Sequence, residues 1–578
     1  MRFQTTSGNQ YWYNLHTNEI ETYEGQCDTL PYIRYLPVPS IDSLPDLEHF
    51  IIEVTQDCNF RCTYCCYSGH YKAHRTHQKI STPLSQIDTL YDFIERHRNK
   101  ARHLTISFYG GEPFLQSSFL TTAVESGKLR FPADTDYTIS TNGYLLSSEI
   151  MEWAIQQGIL LHISLDGYPA QHDKYRRDLE GNPTFDTILS NLTMIKNRNL
   201  LYWYAKVRLF VTLQSYQDLR PIADYWQQND LLSEKAPASI GLVTPNYSTD
   251  DKKDTEEDYE SLLSLLAYYA SNRNNLFCRA FFEGFTAEIQ DRSIYEIPEQ
   301  ILPMVCVPHN YRCFIDAKGD IGVCEKISDR IRFGNIRKGI NWQSVKSFVE
   351  EQAAIKQKRC TTCWAYRLCQ TCYTHWGLSD KMRDQDCERT KSLIQWKLQI
   401  TLEMAERGLL AADETPFLST SHCQIHAIED KDLIAFKFLF EDEQTQRFLP
   451  DLYQTVKDDR QLWQFVTDYR YYSFKGKGFL WGIYHKYQFI GFVAVMDLDF
   501  VPQISYAMHP MYRNRGFMQE SVSMITHYLC TSQHCLQLQA TVDTENSASQ
   551  KVLEQCGYCW GKCRNDKVIF EHNSKTEE

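Results

Sequence analysis

Between residue 49 and about residue 265, short runs of β-branched and aromatic residues alternate with amphipathic stretches of helical period. The apolar runs read FIIEVT, LTISFYG, YTISTNG, LHISLDG, VRLFVTL and SIGLVTP. Alternation of strands with helices in this way predicts a parallel sheet with helical crossovers. Six such units predict an α/β fold, a partial (β/α)6 barrel with its active site at the carboxyl ends of the strands.

The segments on either side of this region have different patterns. Residues 1–48 alternate aromatic and polar positions and end in a proline-bearing run, which predicts a small strand-rich segment that could dock a peptide by strand addition. Residues 266–400 are cysteine-rich and weakly periodic, as expected where bound metal rather than a large apolar core fixes the fold. Residues 401–420 read as a linker, and residues 421–578 as a separate domain of strands and helices.

Composition and charge narrow the class of protein further. Of the 578 residues, 43% are hydrophobic, which suffices for packed cores, and the formal charge of −13 comes without a long basic run. A nucleic-acid partner is therefore disfavoured. The chain shows neither the apolar core of a signal peptide nor an apolar run long enough to cross a bilayer. We therefore expect a soluble, cytoplasmic protein without a membrane partner.

Twenty cysteines raise the question of metal binding, because in a reducing compartment they serve as ligands more often than as disulfides. Cys58, Cys62 and Cys65 follow an apolar strand with the spacing C-x3-C-x2-C, for which chance predicts a count of roughly 0.02. Three thiolates can hold three irons of a cubane and leave the fourth iron open. The alternatives are buried free thiols or a zinc site. Zinc would normally need a fourth ligand nearby, and Cys66 is expected to point elsewhere.

Motifs that accompany this triplet make the interpretation more specific. They comprise Tyr64 before the third cysteine, Gly110, Gly111 and Glu112 in GGEP, Ser140 and Asn142 in STNG, Ser164 and Asp166 in SLDG, and Arg176. In this order they resemble the radical S-adenosylmethionine (radical SAM) superfamily. The resemblance implies a [4Fe-4S] cluster on the three cysteines and S-adenosylmethionine bound by the other residues. It also implies reductive cleavage of that cofactor to a 5′-deoxyadenosyl radical, which abstracts hydrogen from a substrate.

A second group of cysteines lies downstream, at Cys306, Cys313, Cys324, Cys360, Cys363, Cys369, Cys372 and Cys387. It resembles the SPASM extension of radical SAM peptide modifiers, apart from a spacing of two rather than three residues between Cys369 and Cys372. The resemblance implies two auxiliary clusters and therefore three [4Fe-4S] clusters in all. One would be held by Cys306, Cys313, Cys324 and Cys372, and the other by Cys360, Cys363, Cys369 and Cys387. A pair of zinc ribbons is the alternative.

The last segment carries a different signature. Between a predicted strand and a predicted helix lie Arg513, Asn514, Arg515, Gly516, Phe517 and Met518, whose backbone N–H groups suit a pyrophosphate. With Asn546 and Ser549 in an N-x2-S pattern, the segment resembles the α+β GNAT acetyltransferases, which implies acetyl-CoA at these residues. The alternative is a retained fold that only holds a peptide. We expect Cys556, Cys559 and Cys563 to be structural and His509 to be a strand-end residue, and we assign no catalytic acid or base.

These resemblances together indicate a maturase of a ribosomally made precursor peptide. The radical SAM half would form a side-chain cross-link, either thioether or carbon–carbon, with electrons from a donor of the flavodoxin or ferredoxin type. The GNAT half would acetylate an amine of the same peptide. The alternatives are a sulfatase-type maturase, which shares the eight-cysteine plan, and a zinc-bound scaffold whose GNAT-like domain only binds peptide.

Overall fold

The computed structural model describes residues 1–26, 34–35, 47–69, 75–133, 135–243, 255–292, 300–301, 311–326, 331–370, 380–410, 414–428, 432–456, 459–564 and 566–574. The chain forms two compact units, Met1–Arg407 and Gly408–Glu578. The finer limits predicted at residues 49, 266 and 421 stay a prediction.

The first unit combines a large sheet, two small sheets and surrounding helices. Its strands are β1 Arg2–Gln4, β2 Gln10–Tyr13, β3 Ile20–Thr22, β4 Arg34–Tyr35, β5 His49–Thr55, β6 Thr105–Gly110, β7 Asp136–Thr141, β8 Leu160–Ser164, β9 Val207–Leu213, β10 Ser239–Leu242, β11 Gln300–Ile301, β12 Arg312–Ile315, β13 Asp320–Gly322, β14 Arg332–Asn335 and β15 Gly339–Ile340. Its helices are α1 Ile87–His97, α2 Ser117–Arg130, α3 Ser148–Gln157, α4 Pro169–Tyr175, α5 Phe185–Arg198, α6 Leu200–Lys206, α7 Leu219–Gln228, α8 Glu256–Ser271, α9 Leu276–Gln290, α10 Trp342–Arg359 and α11 Asp380–Glu406.

Six parallel strands form the centre of the first unit, in the spatial order β10-β9-β8-β7-β6-β5. All six predicted apolar runs are confirmed as strands, with helices between successive strands of the chain. Along β9, Val207, Leu209, Val211 and Leu213 are buried, while the residues between them are half-buried. This alternation arises because one face of the sheet packs against helices and the other lines the inside of the partial barrel.

The barrel sheet continues beyond the six predicted strands. β12 pairs in parallel with β5, and β13, β14 and β15 follow as an antiparallel meander, so that the sheet has ten strands. Cys313 lies on β12 in register with Phe50 of β5. Part of the cysteine-rich region is therefore joined to the barrel by main-chain hydrogen bonds, which its weak periodicity did not predict.

The N-terminal strands form a separate antiparallel sheet in the order β1-β2-β3. Phe3 and Tyr13 of this sheet pack in one apolar cluster with Leu398 and Leu402 of α11. Near the end of α11, Glu406 accepts hydrogen bonds at 2.7–2.9 Å from Thr5, Ser7, Asn9 and Tyr11. The buried Glu403 likewise accepts one at 2.7 Å from the hydroxyl of Thr6. The N-terminal sheet is thus fastened to α11 by apolar and charged contacts.

The second unit is built on one twisted sheet with helices on both faces. Its strands are β16 Leu418–Ser419, β17 Gln424–Ala427, β18 Phe479–His485, β19 Gln488–Met496, β20 Gln503–Met508, β21 Gln537–Asp543, β22 Cys559–Arg564 and β23 Lys567–Asn573. Its helices are α12 Leu433–Phe438, α13 Glu443–Phe448, α14 Pro450–Thr455, α15 Asp459–Phe474, α16 Phe517–Thr531 and α17 Ser547–Gln555.

The strand order of this sheet is β16-β17-β18-β19-β20-β21-β23-β22. Alternate residues of β18 supply two cores: Trp481 packs with Val522 of α16, and Leu480 packs with Phe436 of α12. β20 and β21 are parallel and pair at one position only, Gln503 with Gln539. The carboxyl-terminal halves of these two strands are therefore not paired with each other. In the described parts of both units, no helix has the length and apolar character needed to cross a membrane.

Candidate functional site

The loop after β5 brings the first three cysteines together. Burial raises the pKa of Cys62 to about 11; the Arg176 guanidinium opposes this rise, and the neighbouring Cys65 adds to it. Burial likewise raises the pKa of Cys58, with further contributions from Glu112, Cys62 and Cys65. The three thiols thus affect one another's ionisation, as close neighbours do.

The chemistry of this loop fits an iron–sulfur cluster. The backbone N–H groups of Phe60 and Tyr67 donate to the sulfurs of Cys58 and Cys65, each at 3.4 Å. Hydrogen bonds to ligand sulfurs are a regular feature of such clusters. In the described part of the chain, no three His, Cys, Asp or Glu side chains surround a point where one metal ion would sit. A [4Fe-4S] cubane does not require three ligands around one point, because each thiolate binds a different iron atom.

Two glycines allow the next strand end to approach this loop. A Cβ atom on Gly110 would lie 2.1 Å from the carbonyl oxygen of Thr55, and one on Gly111 would lie 2.0 Å from that of Asp57. The backbone N–H of Gly111 donates to the Thr55 oxygen at 2.8 Å, and that of Glu112 to the Asp57 oxygen at 2.9 Å. Only glycine fits at either position, because any side chain would push the loop away.

Glu112 is fully buried and joins the ends of β6 and β7. Its carboxylate accepts hydrogen bonds from the Thr141 hydroxyl and the Asn142 N–H, each at 2.8 Å, and from the Phe114 N–H at 3.1 Å. Burial raises the pKa of Glu112 to about 7, although these hydrogen bonds oppose the rise. The Asn142 side chain in turn donates to the Asn59 side chain at 2.8 Å, beside Cys58. The predicted residues Glu112 and Asn142 are therefore in one network with the cysteine loop.

A triad of the half-buried Tyr64 and the buried Asp166 and Arg176 links the loop to the end of β8. The Tyr64 hydroxyl donates to Asp166, and Arg176 donates to the Tyr64 oxygen at 2.7 Å. Arg176 also lies 3.7 Å from the Asp166 carboxylate, whose other oxygen accepts from the Thr212 N–H at 2.8 Å. Burial raises the pKa of Asp166, and Arg176 and Tyr64 counteract that rise. Sequence reasoning predicted all three members of the triad, but not that they contact one another.

The remaining predicted residues of this site lie at the same edge of the sheet. Ser140 is the penultimate residue of β7, Ser164 ends β8, and both are half-buried. His172, which sequence reasoning missed, accepts from the Asp166 N–H at 3.1 Å and contacts the Thr184 hydroxyl at 3.2 Å. Burial and Arg176 lower the pKa of His172 to about 2, so the ring is a neutral support for the SLDG turn.

A second buried network behind the cysteine loop was also missed. Glu53 of β5, with no exposed surface, pairs with Arg75 and accepts hydrogen bonds from the Tyr67 hydroxyl at 2.5 Å and the Ala317 N–H at 3.0 Å. These partners lie between 14 and 264 residues away along the chain. The sequence signal available was an acidic residue in the middle of the apolar strand FIIEVT.

Glu325 is the third functional candidate that the sequence did not reveal. It follows Cys324, and its Oε1 lies 3.8 Å from the Arg312 guanidinium. Its Oε2 is buried and has no hydrogen-bond partner among the described residues. Cys66, burial and Glu325, in that order, raise the pKa of Tyr109, and the Tyr109 hydroxyl lies 3.9 Å from the Cys66 sulfur. A carboxylate, a phenol and a thiol therefore meet beside the first cysteine triplet.

Of the two predicted auxiliary groups, one lies wholly within the described residues. Burial raises the pKa of Cys360 to about 12, with added effects of Cys363, Cys369 and Cys387, so these four cysteines are neighbours. The other group is only partly described. Cys313 is buried on β12 and Cys324 is half-buried after β13, whereas Cys306 and Cys372 lie outside the described residues.

In the second unit, the loop before α16 has the backbone that an anion site needs. Asn514 and Gly516 adopt left-handed conformations, with φ of 60° and 81°, and α16 begins at Phe517. At the start of a helix the N–H groups have no intrahelical acceptor, and the helix dipole favours negative charge. The Arg513 side chain turns back to Asp442 at 2.5 Å, and Met518 is buried in the core. Arg513 and Met518 therefore contribute backbone atoms to the loop, and Arg515 is the cationic residue within it.

The other predicted residues of this unit have structural contacts. Asn546 caps α17 by accepting from the Ser549 N–H at 3.1 Å, and the Tyr506 hydroxyl donates to the Ser549 carbonyl at 3.1 Å. Cys556 is buried and its thiol donates to the Gln519 carbonyl at 3.3 Å, whereas Cys559 and Cys563 are exposed on β22. His509 lies just after β20 and accepts from the Met511 N–H at 3.3 Å, as a strand-end residue would.

Comparisons with known proteins agree with both halves of this description. Residues 52–225 match the radical SAM superfamily, and residues 424–558 match the acetyltransferase (GNAT) domain. The chain is 22% identical over 344 residues to a cysteine-type anaerobic sulfatase-maturating enzyme of Clostridium novyi, covering 57% of this chain and 88% of that protein. It is 25% identical over 190 residues to the radical SAM cyclopropyl synthase TigE of Paramaledivibacter caminithermalis, covering 32% of this chain and 38% of that protein.

Among solved structures, the chain is similar to native anSMEcpe with bound AdoMet, with a TM-score of 0.48 and 18% identity. That similarity covers 62% of this chain and 99% of the other. The matches at residues 52–225 and 424–558 fall on the barrel and on the sheet of the second unit. The chain is therefore an enzyme that carries a radical SAM domain and a GNAT acetyltransferase domain.

Proposed function

We propose that this enzyme is a maturase that modifies a ribosomally made peptide by hydrogen abstraction and acetylates the same peptide. The observation that carries the proposal is the joining of the Cys58–Cys65 loop to the carboxyl ends of β6, β7 and β8 through Glu112, Asn142 and Asp166. When bound, an iron–sulfur cluster and S-adenosylmethionine supply one-electron reductive chemistry and hydrogen abstraction at carbon. Cys58, Cys62 and Cys65 would hold the cluster.

The residues around the loop supply binding and orientation. Arg176 is buried and cationic, so it suits a carboxylate such as that of the methionine part of the cofactor, and Asp166 fixes its position. Tyr64 is held by both and presents its ring beside the same space. Gly110, Gly111, Ser140 and Ser164 complete the polar rim at the strand ends. Burial of this network excludes water, which protects a reactive intermediate from side reactions.

Glu325 is the residue best placed to accept a proton from the substrate. Its Oε2 lacks a hydrogen-bond partner among the described residues, although the atom is buried. Such an oxygen gains a hydrogen bond only when a proton donor enters the site. Oxidation of a peptide side chain after hydrogen abstraction requires loss of a proton as well as an electron, and an auxiliary cluster would be the group that accepts the electron. Glu325 would take that proton beside Tyr109 and the first cysteine triplet.

Three [4Fe-4S] clusters and a reduced flavodoxin or ferredoxin as electron donor belong to this proposal. The neighbouring positions of Cys360, Cys363, Cys369 and Cys387 support one auxiliary cluster. Cys313 and Cys324, near the barrel, would contribute to another with Cys306 and Cys372. The cysteine-rich composition suits a reducing compartment, and we place the enzyme in the cytoplasm.

The second unit would transfer an acetyl group from acetyl-CoA to an amine of the peptide. The loop Arg513–Met518 would bind the pyrophosphate, and the unpaired halves of β20 and β21 leave room for the pantetheine arm near Tyr506. Asn546 and Ser549 would line that space at the start of α17. The chemistry at the radical site would be a thioether or carbon–carbon cross-link.

One alternative has a specific observation in its favour. The similarity to the Clostridium novyi anaerobic sulfatase-maturating enzyme extends over 88% of that protein. A sulfatase-type maturase would oxidise a cysteine or serine of a protein substrate instead of forming a cross-link. A zinc-bound scaffold is the other alternative, since cysteines can also bind zinc.

Anaerobic purification followed by iron, sulfide and zinc analysis tests the proposal. We expect about twelve irons and twelve sulfides for each chain, as three [4Fe-4S] clusters require. Mass spectrometry of a co-expressed peptide should then show loss of two hydrogens together with the added mass of an acetyl group. Zinc in place of iron would contradict the proposal, and oxidation of a sulfatase-derived peptide without cross-linking would favour the alternative maturase.

A further inference from the structure

A basic face lies beside the four-cysteine site of Cys360, Cys363, Cys369 and Cys387. The segment from Lys356 to Lys391 contains eight Lys or Arg and four Asp or Glu, a formal charge of +4 in a chain whose net charge is −13. A local excess of positive charge in an acidic protein needs an explanation, because it attracts anionic surfaces.

The two helix ends that carry these charges meet at the cysteines. Arg359, the last residue of α10, forms an ion pair with Asp384 in the first turns of α11 and lies 3.6 Å from Asp380. Cys360 directly follows α10, and Cys387 lies within α11. The basic side chains at the end of α10 and the start of α11 therefore surround one site.

Three of the cations lie next to the cysteines. Arg359 directly precedes Cys360, and the Cys360 N–H donates to the Lys356 carbonyl at 2.8 Å. Lys391 follows Cys387 by four residues on α11, so the two lie on the same face of that helix. These cations are therefore beside the four-cysteine site.

The formal charge of +4 remains after the four acidic residues of the segment are counted, and one of these, Asp386, is buried. The side chains of Asp380, Asp384 and Glu388 are between 66% and 81% exposed, and each lies in a surface ion pair with a residue of the same segment. Such pairs are weak and strongly screened by solvent. Lys358 and Lys381, near the end of α10 and the start of α11, are exposed and add to the positive surface.

We propose that Lys356, Lys358, Arg359, Lys381, Arg383 and Lys391 form a docking face for an acidic one-electron carrier protein. The inference rests on the proposed function, because it takes the four-cysteine site as a [4Fe-4S] cluster. One electron leaves the carrier, which is oxidised, and the cluster takes it up and is reduced; no bond is made or broken. The half-buried cysteines bring that cluster within reach of a partner seated on this face.

The position of the face favours a carrier over an acidic substrate peptide. Its charged side chains come from the end of α10, directly before Cys360, and from α11, which contains Cys387. A substrate has to reach the strand ends of the barrel beside the Cys58–Cys65 loop. Electrostatic complementarity mainly raises the rate of association, which suits a carrier that must bind, transfer an electron and leave.

The test compares two reductants on the iron-loaded full-length enzyme. In Lys358→Glu/Lys381→Glu, we expect the rate of cluster bleaching by reduced flavodoxin to fall about tenfold at low salt, and the affinity for flavodoxin to fall with it. The rate with dithionite, which needs no docking surface, should stay at the wild-type value. The control Lys346→Glu lies on α10 twelve residues before Lys358, about 18 Å away along the helix, and should behave as wild type.

Other outcomes separate failure of this inference from failure of the proposed function. Wild-type protein without iron, or without bleaching by dithionite, would contradict the proposed function itself. Iron-loaded wild type combined with an unchanged flavodoxin rate in the double variant would overturn the docking face. If the double variant loses iron, Lys358→Gln/Lys381→Gln replaces it, and an equal loss of both reductant rates there would also overturn the inference. Selective loss of binding to an acidic peptide would assign the face to a substrate instead.

Discussion

Asp166 divides its carboxylate between three groups: the Tyr64 hydroxyl, the Thr212 N–H and the Arg176 guanidinium. Replacing one partner of a buried charge pair leaves the other charge uncompensated, which costs about 3 kcal/mol or more. We therefore expect Asp166→Asn to lower the thermal unfolding temperature and to weaken S-adenosylmethionine binding at least tenfold, as measured by equilibrium dialysis. Asp230→Asn, in the exposed turn after α7, is the control. Equal affinities for both variants would show that the triad does not support the cofactor.

Burial of His172 makes the stability of the barrel depend on pH. Burial and Arg176 lower its pKa to about 2 in the folded protein, against an ordinary value of about 6.5 in the unfolded chain. Below pH 6.5 the unfolded chain binds a proton that the folded protein does not. The free energy of unfolding therefore decreases by up to about 1.4 kcal/mol for each unit by which the pH is lowered. The unfolding temperature of wild type should therefore fall more steeply from pH 7 to pH 5 than that of His172→Gln. Parallel curves would refute this, and His103→Gln, at the surface, should follow wild type.

Gly516 lies in the loop that we propose to bind the pyrophosphate of coenzyme A. Its φ of 81° is unfavourable for other residues by about 1 kcal/mol, and an added Cβ would meet no atom within 4 Å. Gly516→Ala should therefore fold, yet place a methyl group in the pyrophosphate loop. We expect about a tenfold weaker Kd for acetyl-CoA by calorimetry. Gly476→Ala introduces comparable strain, at φ 61° with no close atom, and should leave the Kd unchanged. An equal Kd for acetyl-CoA in both variants would show that the loop is not part of the binding site.

At the scale of elements, the cysteine loop is held by strand ends and by one neighbouring segment. Backbone N–H groups of Arg61 and Thr63 donate to the carbonyls of Arg177 and Tyr175 at 2.8 and 3.0 Å. Tyr175 and Arg177 thus support the loop through the main chain, while the side chain of Arg176 between them contacts Tyr64 and Asp166.

The N-terminal sheet is predicted to depend on the end of α11. Glu403 and Glu406 accept hydrogen bonds from Thr5, Thr6 and their neighbours, and an amide in place of each carboxylate removes charge and acceptor capacity. In Glu403→Gln/Glu406→Gln, amide hydrogen exchange of residues 2–13 should accelerate at least tenfold, as read by mass spectrometry. Glu260→Gln on the exposed side of α8 serves as the control. Unchanged exchange in the double variant would mean that apolar packing alone holds the sheet.

Features of the fold and the site that short sequence patterns encode could be predicted, whereas contacts between residues far apart in the sequence could not. The six barrel strands and the Cys58–Cys65 loop are encoded by short patterns, and all six strands are confirmed. The contact of Glu53 with Ala317 and the pairing of β12 with β5 were not predictable, because they join residues more than 250 positions apart. Glu112 was predicted to belong to the site, yet its three hydrogen-bond donors depend on how two strands end side by side. A sequence pattern identifies which residue belongs to the site, whereas the groups that this residue contacts depend on tertiary packing.

At the scale of the whole molecule, the two proposed chemistries fall in two compact units, 1–407 and 408–578. Each unit has its own sheet and its own core, so damage at one site need not unfold the other. The cysteine triplet belongs to the first unit, and the loop Arg513–Met518 belongs to the second. The two proposed reactions should therefore be separable by mutation.

The most direct test is the formation of 5′-deoxyadenosine from S-adenosylmethionine by anaerobic, iron-loaded protein with dithionite. Wild type should release 5′-deoxyadenosine, and Cys58→Ala/Cys62→Ala/Cys65→Ala should release none, because no thiolate would remain at the first cluster site. Cys66→Ala, adjacent to the triplet, should retain activity, and all three proteins should bind acetyl-CoA with the same Kd. Release of 5′-deoxyadenosine by the triple variant at the wild-type rate would contradict the assignment of the cluster to this loop.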